Sequence, residues 1–238
     1  MSERLNVILI LSDDQGSQDL GCYGARDLVT PNLDRLAASG VRFTNFYANA
    51  PICMPSRVSL LTGREYPRGL IPGQGLKPDE ITVAELFKGA GYRTALFGKW
   101  HLGYTPDMSP NAQGFDEFLG HTAGTLDAYS HFFYVEGVNR HVLERNGAPY
   151  ERPGKYLPDL LVEEATQFID DAGDEPVLLY LPFAIPHYPV QPKREHRELY
   201  EQMDMEDQRR VLYGAYLTTL DECVGRVLDA VEARGLTQ

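Results

Sequence analysis

The chain has 238 residues, of which 43% are hydrophobic and 24% are charged, and its formal net charge is −12. This composition is typical of a globular protein with room for one large or two small domains. The net negative charge argues against broad nucleic-acid binding, which requires a basic surface. No apolar run in the sequence reaches the length needed to cross a membrane.

The first predicted element is a strand over residues 6–11. Val7 to Leu11 form an unbroken apolar run, as expected for a parallel strand that is buried on both faces. Asp13 and Asp14 follow at the end of the strand where open α/β sheets place their ligands. Their oxygens suit hard cations such as Ca²⁺ or Mg²⁺. The pattern fits a divalent-cation site, and it also fits an Asp-Asp turn that simply ends the strand.

The next predicted elements are a helix at 31–39, a strand at 41–47 and a helix at 56–63. Thr30 supplies a cap residue for the first of these helices, which Gly40 ends. The second helix is preceded by the run Cys53-Met54-Pro55-Ser56-Arg57. A lone cysteine near a proline is usually a small buried hydrophobe, so this run alone does not establish any chemistry.

A helix at 80–89 and a strand at 92–97 lead into Gly98-Lys99-Trp100-His101-Leu102-Gly103. Lys99 and His101 are two residues apart, so on an extended backbone they face the same side. A cation beside an imidazole suits a site that binds an anion and moves a proton.

Residues 104–155 are rich in Gly, Pro, Tyr and His and lack a clear period, which predicts loops and short elements over an active-site mouth. Four rings in this segment could line a sugar site, although surface packing is the simpler interpretation for each. They are His121, Tyr129, His131 and Tyr134.

The remaining predicted elements are a helix at 157–171, a strand at 176–181, a helix at 192–202 and a helix at 206–234. Strands that alternate with helices predict an α/β fold with helices on both faces of the sheet. After strand 176–181, a proline-braced loop presents His187.

Three cysteines, Cys22, Cys53 and Cys223, do not form a disulfide framework, and Cys22 and Cys223 are interpreted as free thiols. No signal peptide precedes the first strand, so a cytoplasmic location is expected. The alternative is a periplasmic or secreted protein from which a leader has been removed.

Several of these motifs, in this order, resemble the type I, formylglycine-dependent sulfatases of the alkaline-phosphatase-like superfamily. The matching segments are Asn6–Gly16, Cys53–Arg57 with the following Thr62-Gly63-Arg64, Gly98–Gly103, Gly114–Gly120 and Pro186–Pro189. The resemblance implies a central, mostly parallel sheet with helices on both faces. It also implies that 1–238 is an N-terminal catalytic domain, truncated before the last metal-binding strand and lacking the C-terminal subdomain, so that the sheet is incomplete at its C-terminal end.

The activity implied by the resemblance is arylsulfatase-like hydrolysis of a sulfuric ester. Cys53 would be oxidised to formylglycine by a formylglycine-generating or an anaerobic sulfatase-maturing enzyme, and the hydrate would attack sulfur. Asp13, Asp14 and the modified Cys53 would hold a divalent cation, with Ca²⁺ preferred over Mg²⁺. The substrate would be a small sulfated sugar, aryl sulfate or alkyl sulfate.

The resemblance also implies roles for four further side chains. Arg57 would stabilise the hydrate, and Lys99 would bind a sulfate oxygen. His101 would accept the proton that drives sulfate release, and His187 would contact or protonate the leaving oxygen.

Three alternatives remain open at this point. The first is a phosphonate or phosphate monoester hydrolase of the same superfamily, which can share the cysteine motif. The second is a catalytically impaired fragment, because further metal ligands of the family pattern are not in this sequence. The third is an ordinary thiol nucleophile, Cys53 paired with His101 or His187.

Overall fold

The computed structural model describes residues 4–135, 137–203 and 205–236. The chain divides into two compact units. We call Met1–Leu11 with Tyr47–Pro182 the sheet unit, and Ser12–Phe46 with Phe183–Gln238 the helical unit.

The regular elements alternate between strands and helices along the chain, as the sequence predicts. The strands are β1 (Val7–Asp13), β2 (Leu70–Ile71), β3 (Gly75–Leu76), β4 (Arg93–Lys99), β5 (Glu117–His121), β6 (Phe132–Phe133), β7 (Arg140–His141), β8 (Leu143–Arg145), β9 (Ala148–Pro149) and β10 (Val177–Pro186). The helices are α1 (Pro31–Ser39), α2 (Cys53–Thr62), α3 (Tyr66–Gly69), α4 (Val83–Gly89), α5 (Leu157–Asp171), α6 (Arg194–Glu201) and α7 (Gln208–Ala233), with 3₁₀ turns at Gly21–Tyr23 and Pro106–Met108.

Six strands form one sheet in the order β1-β10-β4-β5-β8-β9. The central strands β10, β4 and β5 run parallel, with Leu178 opposite Thr94 and Leu96 opposite Phe118. β8 and β9 extend the sheet in the antiparallel sense. The sheet therefore confirms the predicted α/β class, with a mostly parallel core.

Helices cover both faces of this sheet. Successive residues of β4 point to opposite faces, so their contacts show which helices lie on each side. Leu96 joins a buried cluster with Val58 of α2 and Ala84 of α4. Its neighbour Phe97 meets Phe168 of α5 edge-on, with ring centroids 5.9 Å apart. This arrangement confirms the predicted placement of helices.

The ends of β4 and β5 approach each other closely through two glycines that lie in register. A Cβ at Gly120 would lie 1.9 Å from the Gly98 carbonyl oxygen, and a Cβ at Gly98 would lie 2.2 Å from the Pro182 carbonyl oxygen. Gly98 also has φ +137°, which side-chain-bearing residues rarely adopt. Only glycine fits at these two positions, and the next residues along the two strands, Lys99 and His121, are paired.

Some predicted elements differ from the structure. Residues 41–47 form no strand, and Val41 (83% exposed) and Phe46 (80% exposed) point into solvent. α2 begins three residues earlier than predicted, at Cys53. β10 continues to Pro186, so His187 follows the strand directly instead of lying in a braced loop. The segment 104–155 contains the short strands β5 to β9, in agreement with the predicted short elements.

In the helical unit, α7 holds the start of α1. The buried Asp221 carboxylate accepts hydrogen bonds from the backbone N–H groups of Asn32 (3.2 Å) and Leu33 (2.8 Å). Thr30 was predicted to cap this helix, but its hydroxyl makes no such bond and instead accepts one from the Gly21 N–H at 3.0 Å. Asp221 therefore satisfies the unpaired N–H groups at the start of α1.

None of the three cysteines, Cys22, Cys53 and Cys223, is joined in a disulfide, as predicted for Cys22 and Cys223. Within the described residues, no helix combines the length and the apolar character that a membrane span requires.

Candidate active site

Cys53 is the first residue of α2, and its side chain is partly buried. The residue before it, Ile52, is extended, and its carbonyl accepts the first helical bond from the Ser56 N–H at 3.1 Å. The N–H groups in the first turn of a helix favour negative charge nearby. An anion that forms at position 53 is therefore stabilised by α2.

His101 lies against the thiol. Its Nδ1 is 3.2 Å from the Cys53 Sγ, within hydrogen-bond distance. His101 has φ +57°, an uncommon conformation for a residue other than glycine, and such strain often occurs at functional sites. On the other edge of the ring, a Cβ at Gly124 would be 3.0 Å from Nε2, so position 124 leaves little room for a side chain.

Two buried cations belong to the same unit. Arg57 lies one turn after Cys53 on α2, hence on the same helix face. Its Nη1 donates to the Lys99 carbonyl at 2.7 Å, which ties α2 to the end of β4. Arg57 is 2% exposed and Lys99 is 0% exposed. Charge that is buried away from water attracts an anion more strongly than exposed charge does, so this pair suits an anion.

His121, at the end of β5, belongs to the same group, although surface packing was the simpler interpretation of it from the sequence. It is fully buried, and the Nδ1 of its ring bonds to the Ala123 carbonyl at 2.9 Å. Burial first, and then the positive charges of Lys99 and Arg57, hold the pKa of His121 well below its ordinary value. The imidazole is therefore neutral near pH 7.

The predicted surface packing of the four rings in 104–155 is wrong for the two histidines. His131 is also buried, and its Nε2 bonds to the Lys155 carbonyl at 2.9 Å, which gives it a structural contact. Tyr129 and Tyr134 are 41% and 42% exposed. The signal for His121 was the pair of short runs Phe97-Gly98-Lys99 and Leu119-Gly120-His121, each an apolar residue and a glycine before the functional side chain.

The remaining predicted residues lie in the helical unit. Asp13, the last residue of β1, is 4% exposed, whereas the side chain of Asp14 is 64% exposed and its φ is +65°. The Asp14 Oδ2 is 3.7 Å from the His187 Nε2. The ring of His187 stacks on Tyr188, and its Nδ1 bonds to the Tyr188 carbonyl at 2.7 Å.

The segment that follows Asp14 is fixed by α7. The Tyr213 hydroxyl donates to Asp19 Oδ2 at 2.6 Å and accepts from the Gly16 N–H at 3.4 Å. Burial, together with the bond to Asp19, raises the pKa of Tyr213 to about 12. Arg210 binds both Asp19 and Asp27, and its bond to Asp27 lowers the pKa of that carboxyl.

Asp13 and Asp14 are the residues that were predicted to bind a divalent cation. Two adjacent carboxylates supply the hard oxygen ligands that Ca²⁺ and Mg²⁺ prefer, but Ca²⁺ takes roughly six to eight oxygens. In the part of the chain that the structure describes, no group of three or more His, Cys, Asp or Glu side chains could hold a metal ion. The two aspartates thus fit as part of a cation site and need further ligands.

Two sets of predicted residues are therefore brought together, one in each unit. The sheet unit gathers Cys53, Arg57, Lys99 and His101, to which the structure adds His121. The helical unit contains Asp13 and places Asp14 beside His187.

Comparison with known proteins shows relatives along nearly the whole chain. The family model described as Sulfatase matches residues 5–238. Human arylsulfatase A is 36% identical to this chain in an alignment of 260 residues. The alignment covers 98% of this chain and 50% of that protein. A crystal structure of Ps i-CgsB in complex with k-i-k-neocarrahexaose matches with a TM-score of 0.88 and 30% identity, over 98% of this chain and 56% of that one. The chain thus spans about half the length of these relatives.

A phosphonate monoester hydrolase of Agrobacterium radiobacter is a more distant structural neighbour. It matches with a TM-score of 0.64 at 18% identity, over 98% of this chain and 60% of that one. At this identity the likeness extends to the fold alone.

Proposed function

Because the chain belongs to the sulfatase family, we propose that it carries the nucleophile and the anion-binding residues of a sulfuric ester hydrolase. The observation that supports this most directly is the 3.2 Å contact between the Cys53 Sγ and the His101 Nδ1, in the unit that also buries Arg57 and Lys99. A nucleophile, an adjacent base and preorganised positive charge are what attack on a sulfate ester requires.

The proposed residue at position 53 is formylglycine, made from Cys53 by a formylglycine-generating or an anaerobic sulfatase-maturing enzyme. When present, its hydrate supplies a hydroxyl nucleophile where the thiol now stands. The partly buried position on the first turn of α2 fits such a group, because the helix start favours the negative charge that develops there.

The chain's own residues then bind the ester and move protons. Arg57 and Lys99 are proposed to attract the sulfate oxygens, because charge that is buried away from water is only weakly screened by solvent. His101, through Nδ1, holds and accepts the proton at position 53. His187, fixed by its bond to the Tyr188 carbonyl, is proposed to contact or protonate the leaving oxygen.

Asp13 and Asp14 are proposed to contribute carboxylates to a divalent-cation site, with Ca²⁺ preferred over Mg²⁺ for its tolerance of many oxygen ligands. Such a cation, when bound, would neutralise charge on the sulfate group.

For the substrate, we propose a sulfated saccharide. The support is the relative Ps i-CgsB, a structure of which contains k-i-k-neocarrahexaose, at 30% identity to this chain. Small aryl sulfates serve as test substrates, since arylsulfatase A is another relative.

A second candidate is a thiol hydrolase in which Cys53 acts unmodified. The contact between Sγ and the His101 Nδ1 is also the geometry of a thiol activated by an adjacent histidine. The chemical state of residue 53 separates this candidate from the sulfatase.

The turnover test uses the chain co-produced with a maturing enzyme and compares an aryl sulfate with an aryl phosphonate. We expect preferential hydrolysis of the sulfate, and a loss of at least about a thousandfold in Cys53→Ala, the scale on which removal of a nucleophile acts. Cys22→Ala is the matched control, because Cys22 is a free thiol in the helical unit. Undiminished turnover in Cys53→Ala would contradict the proposal, and preferential phosphonate hydrolysis would favour the rival hydrolase.

A further inference from the structure

His121 is placed at the proposed site by the sheet itself. β4 and β5 are parallel and in register, with Gly98 opposite Gly120 and Lys99 opposite His121. Paired residues of neighbouring strands project to the same face of a sheet, so the ammonium-bearing chain and the imidazole ring are side by side. Both side chains are fully buried.

A single hydrogen bond of the His121 ring fixes which nitrogen carries its proton. A carbonyl oxygen only accepts hydrogen bonds, so the 2.9 Å contact with the Ala123 carbonyl places the hydrogen on Nδ1. In the neutral ring, Nε2 then carries a lone pair and is an acceptor. This Nε2 is buried and has no hydrogen-bond partner among the residues that the structure describes.

The groups around the ring are donors and cations. Burial disfavours the protonated ring most, and Lys99 and Arg57 act in the same direction. A neutral imidazole adds an acceptor to this pocket without a further positive charge. A buried acceptor without a hydrogen bond costs free energy, so an arrangement in which a donor bonds to the His121 Nε2 is favoured.

We propose that His121 is a positioning residue for Lys99: when sulfate binds, the His121 Nε2 accepts one N–H of the Lys99 ammonium, so that another N–H is aimed at a sulfate oxygen. This inference rests on the proposed function, since it takes Lys99 to be a sulfate ligand. An ammonium has three N–H donors, so it can serve both acceptors at once.

A histidine that only fills space in the core would behave differently. Its replacement would alter stability, but it would not change the affinity for an anion in molecules that remain folded. The side-chain amide of glutamine retains an acceptor and that of phenylalanine does not, so the two variants separate acceptor chemistry from ring volume.

The test measures the dissociation constant of inorganic sulfate for the full chain by calorimetry, with the folded fraction of each variant checked by circular dichroism. We expect roughly tenfold weaker binding in His121→Phe, the effect of losing one hydrogen bond to a charged group, and affinity within about threefold of the parent chain in His121→Gln. Arg57→Gln is the reference for the anion site and should also bind sulfate weakly.

Ring ¹⁵N NMR of the unsubstituted chain is the second measurement, and it does not depend on variants that fold. We expect the Nε2 resonance of a non-protonated nitrogen at neutral pH, and a shift towards lower frequency when sulfate saturates the site.

The outcomes separate this inference from the proposed function. If the parent chain and Arg57→Gln bind sulfate but His121→Phe binds as tightly as the parent, or if Nε2 is protonated or unmoved by sulfate, the positioning role is wrong and the anion site stands. If the parent chain binds no sulfate, or Arg57→Gln binds it undiminished, the anion site itself is wrong, and the role of His121 is refuted with it.

Discussion

In the sheet unit, backbone pairing places the candidate residues, whereas in the helical unit side chains of a buried helix hold the neighbouring segments. Lys99 and His121 are opposite each other because Gly98 and Gly120 let β4 and β5 approach without any side chain between them. The segment after Asp14 and the start of α1 are instead fixed by Tyr213 and Asp221 of α7.

This difference indicates how each region tolerates change. A backbone contact cannot yield without moving two strands, so the geometry around Lys99 should be rigid and sensitive to added volume. A carboxylate that accepts hydrogen bonds from N–H groups can be removed without a steric clash. The loss of stability then comes only from the missing hydrogen bonds and from the buried N–H groups left without an acceptor.

The largest expected effect is on the stability of the sheet unit in Gly120→Ala. The added Cβ would lie 1.9 Å from the Gly98 carbonyl oxygen, and backbone on both sides must shift to make room. We expect a loss of about 3 kcal/mol or more in the free energy of unfolding, measured by urea titration.

Gly89→Ala is the matched control for this variant. A Cβ at Gly89, on α4, meets no heavy atom within 4 Å. This variant should be unchanged or more stable, by up to about 1 kcal/mol. Equal stability of Gly120→Ala and the parent chain would show that the approach of the two strands is not tight.

A smaller effect is expected in the helical unit from Asp221→Ala. The substitution leaves the N–H groups of Asn32 and Leu33 without their acceptor, so the free energy of unfolding should fall by about 1–3 kcal/mol. Asp229→Ala, on the same helix, is the control: its pair with Arg35 is exposed and should contribute no more than about 1 kcal/mol. If the two variants lost the same stability, Asp221 would not be what holds α1.

The smallest effect concerns the pH dependence that His121 gives to the sheet unit. Its pKa in the folded protein is held well below 6.5, chiefly by burial and by Lys99. The neutral ring therefore contributes stability that is fully present above pH 6.5 and is lost as the pH falls below it, because the unfolded chain then binds the proton more readily.

His121→Gln removes this proton-binding group, so the parent chain should lose stability faster on acidification than the variant does. The difference in slope below pH 6.5 is at most about 1.4 kcal/mol per pH unit. Urea titrations at several pH values measure it, and parallel curves for the two proteins would contradict a depressed pKa.

The sequence predicted correctly those elements that depend on residues close together in the chain. The apolar run Val7–Leu11 lies in β1 as predicted, although at the edge of the sheet its residues are only partly buried and not buried on both faces. The motif around Lys99 lies at the end of β4, and α1 and α5 have the predicted bounds. The family resemblance assigned Cys53, Arg57 and His101 to one site. In the structure the Cys53 Sγ is 3.2 Å from the His101 Nδ1, and Arg57 bonds to the Lys99 carbonyl at the end of β4.

The errors arose where distant residues decide the outcome. The cap of α1 is Asp221, which is 189 positions from Asn32, and nothing near Thr30 in the sequence reveals it. The burial of His121 depends on the pairing of β5 with β4, and residues 41–47 have the composition of a strand but form none. Short-range pattern cannot report which elements become neighbours.

The central claim is that Cys53 becomes the nucleophile of a sulfuric ester hydrolase, and the mass of the tryptic peptide Phe43–Arg57 from the native host tests it most directly. Formylglycine predicts the loss of one sulfur and two hydrogen atoms and the gain of one oxygen at residue 53, and the same peptide from Cys53→Ala should show no such change. A wholly unmodified thiol in the native protein would contradict the claim and favour the thiol hydrolase.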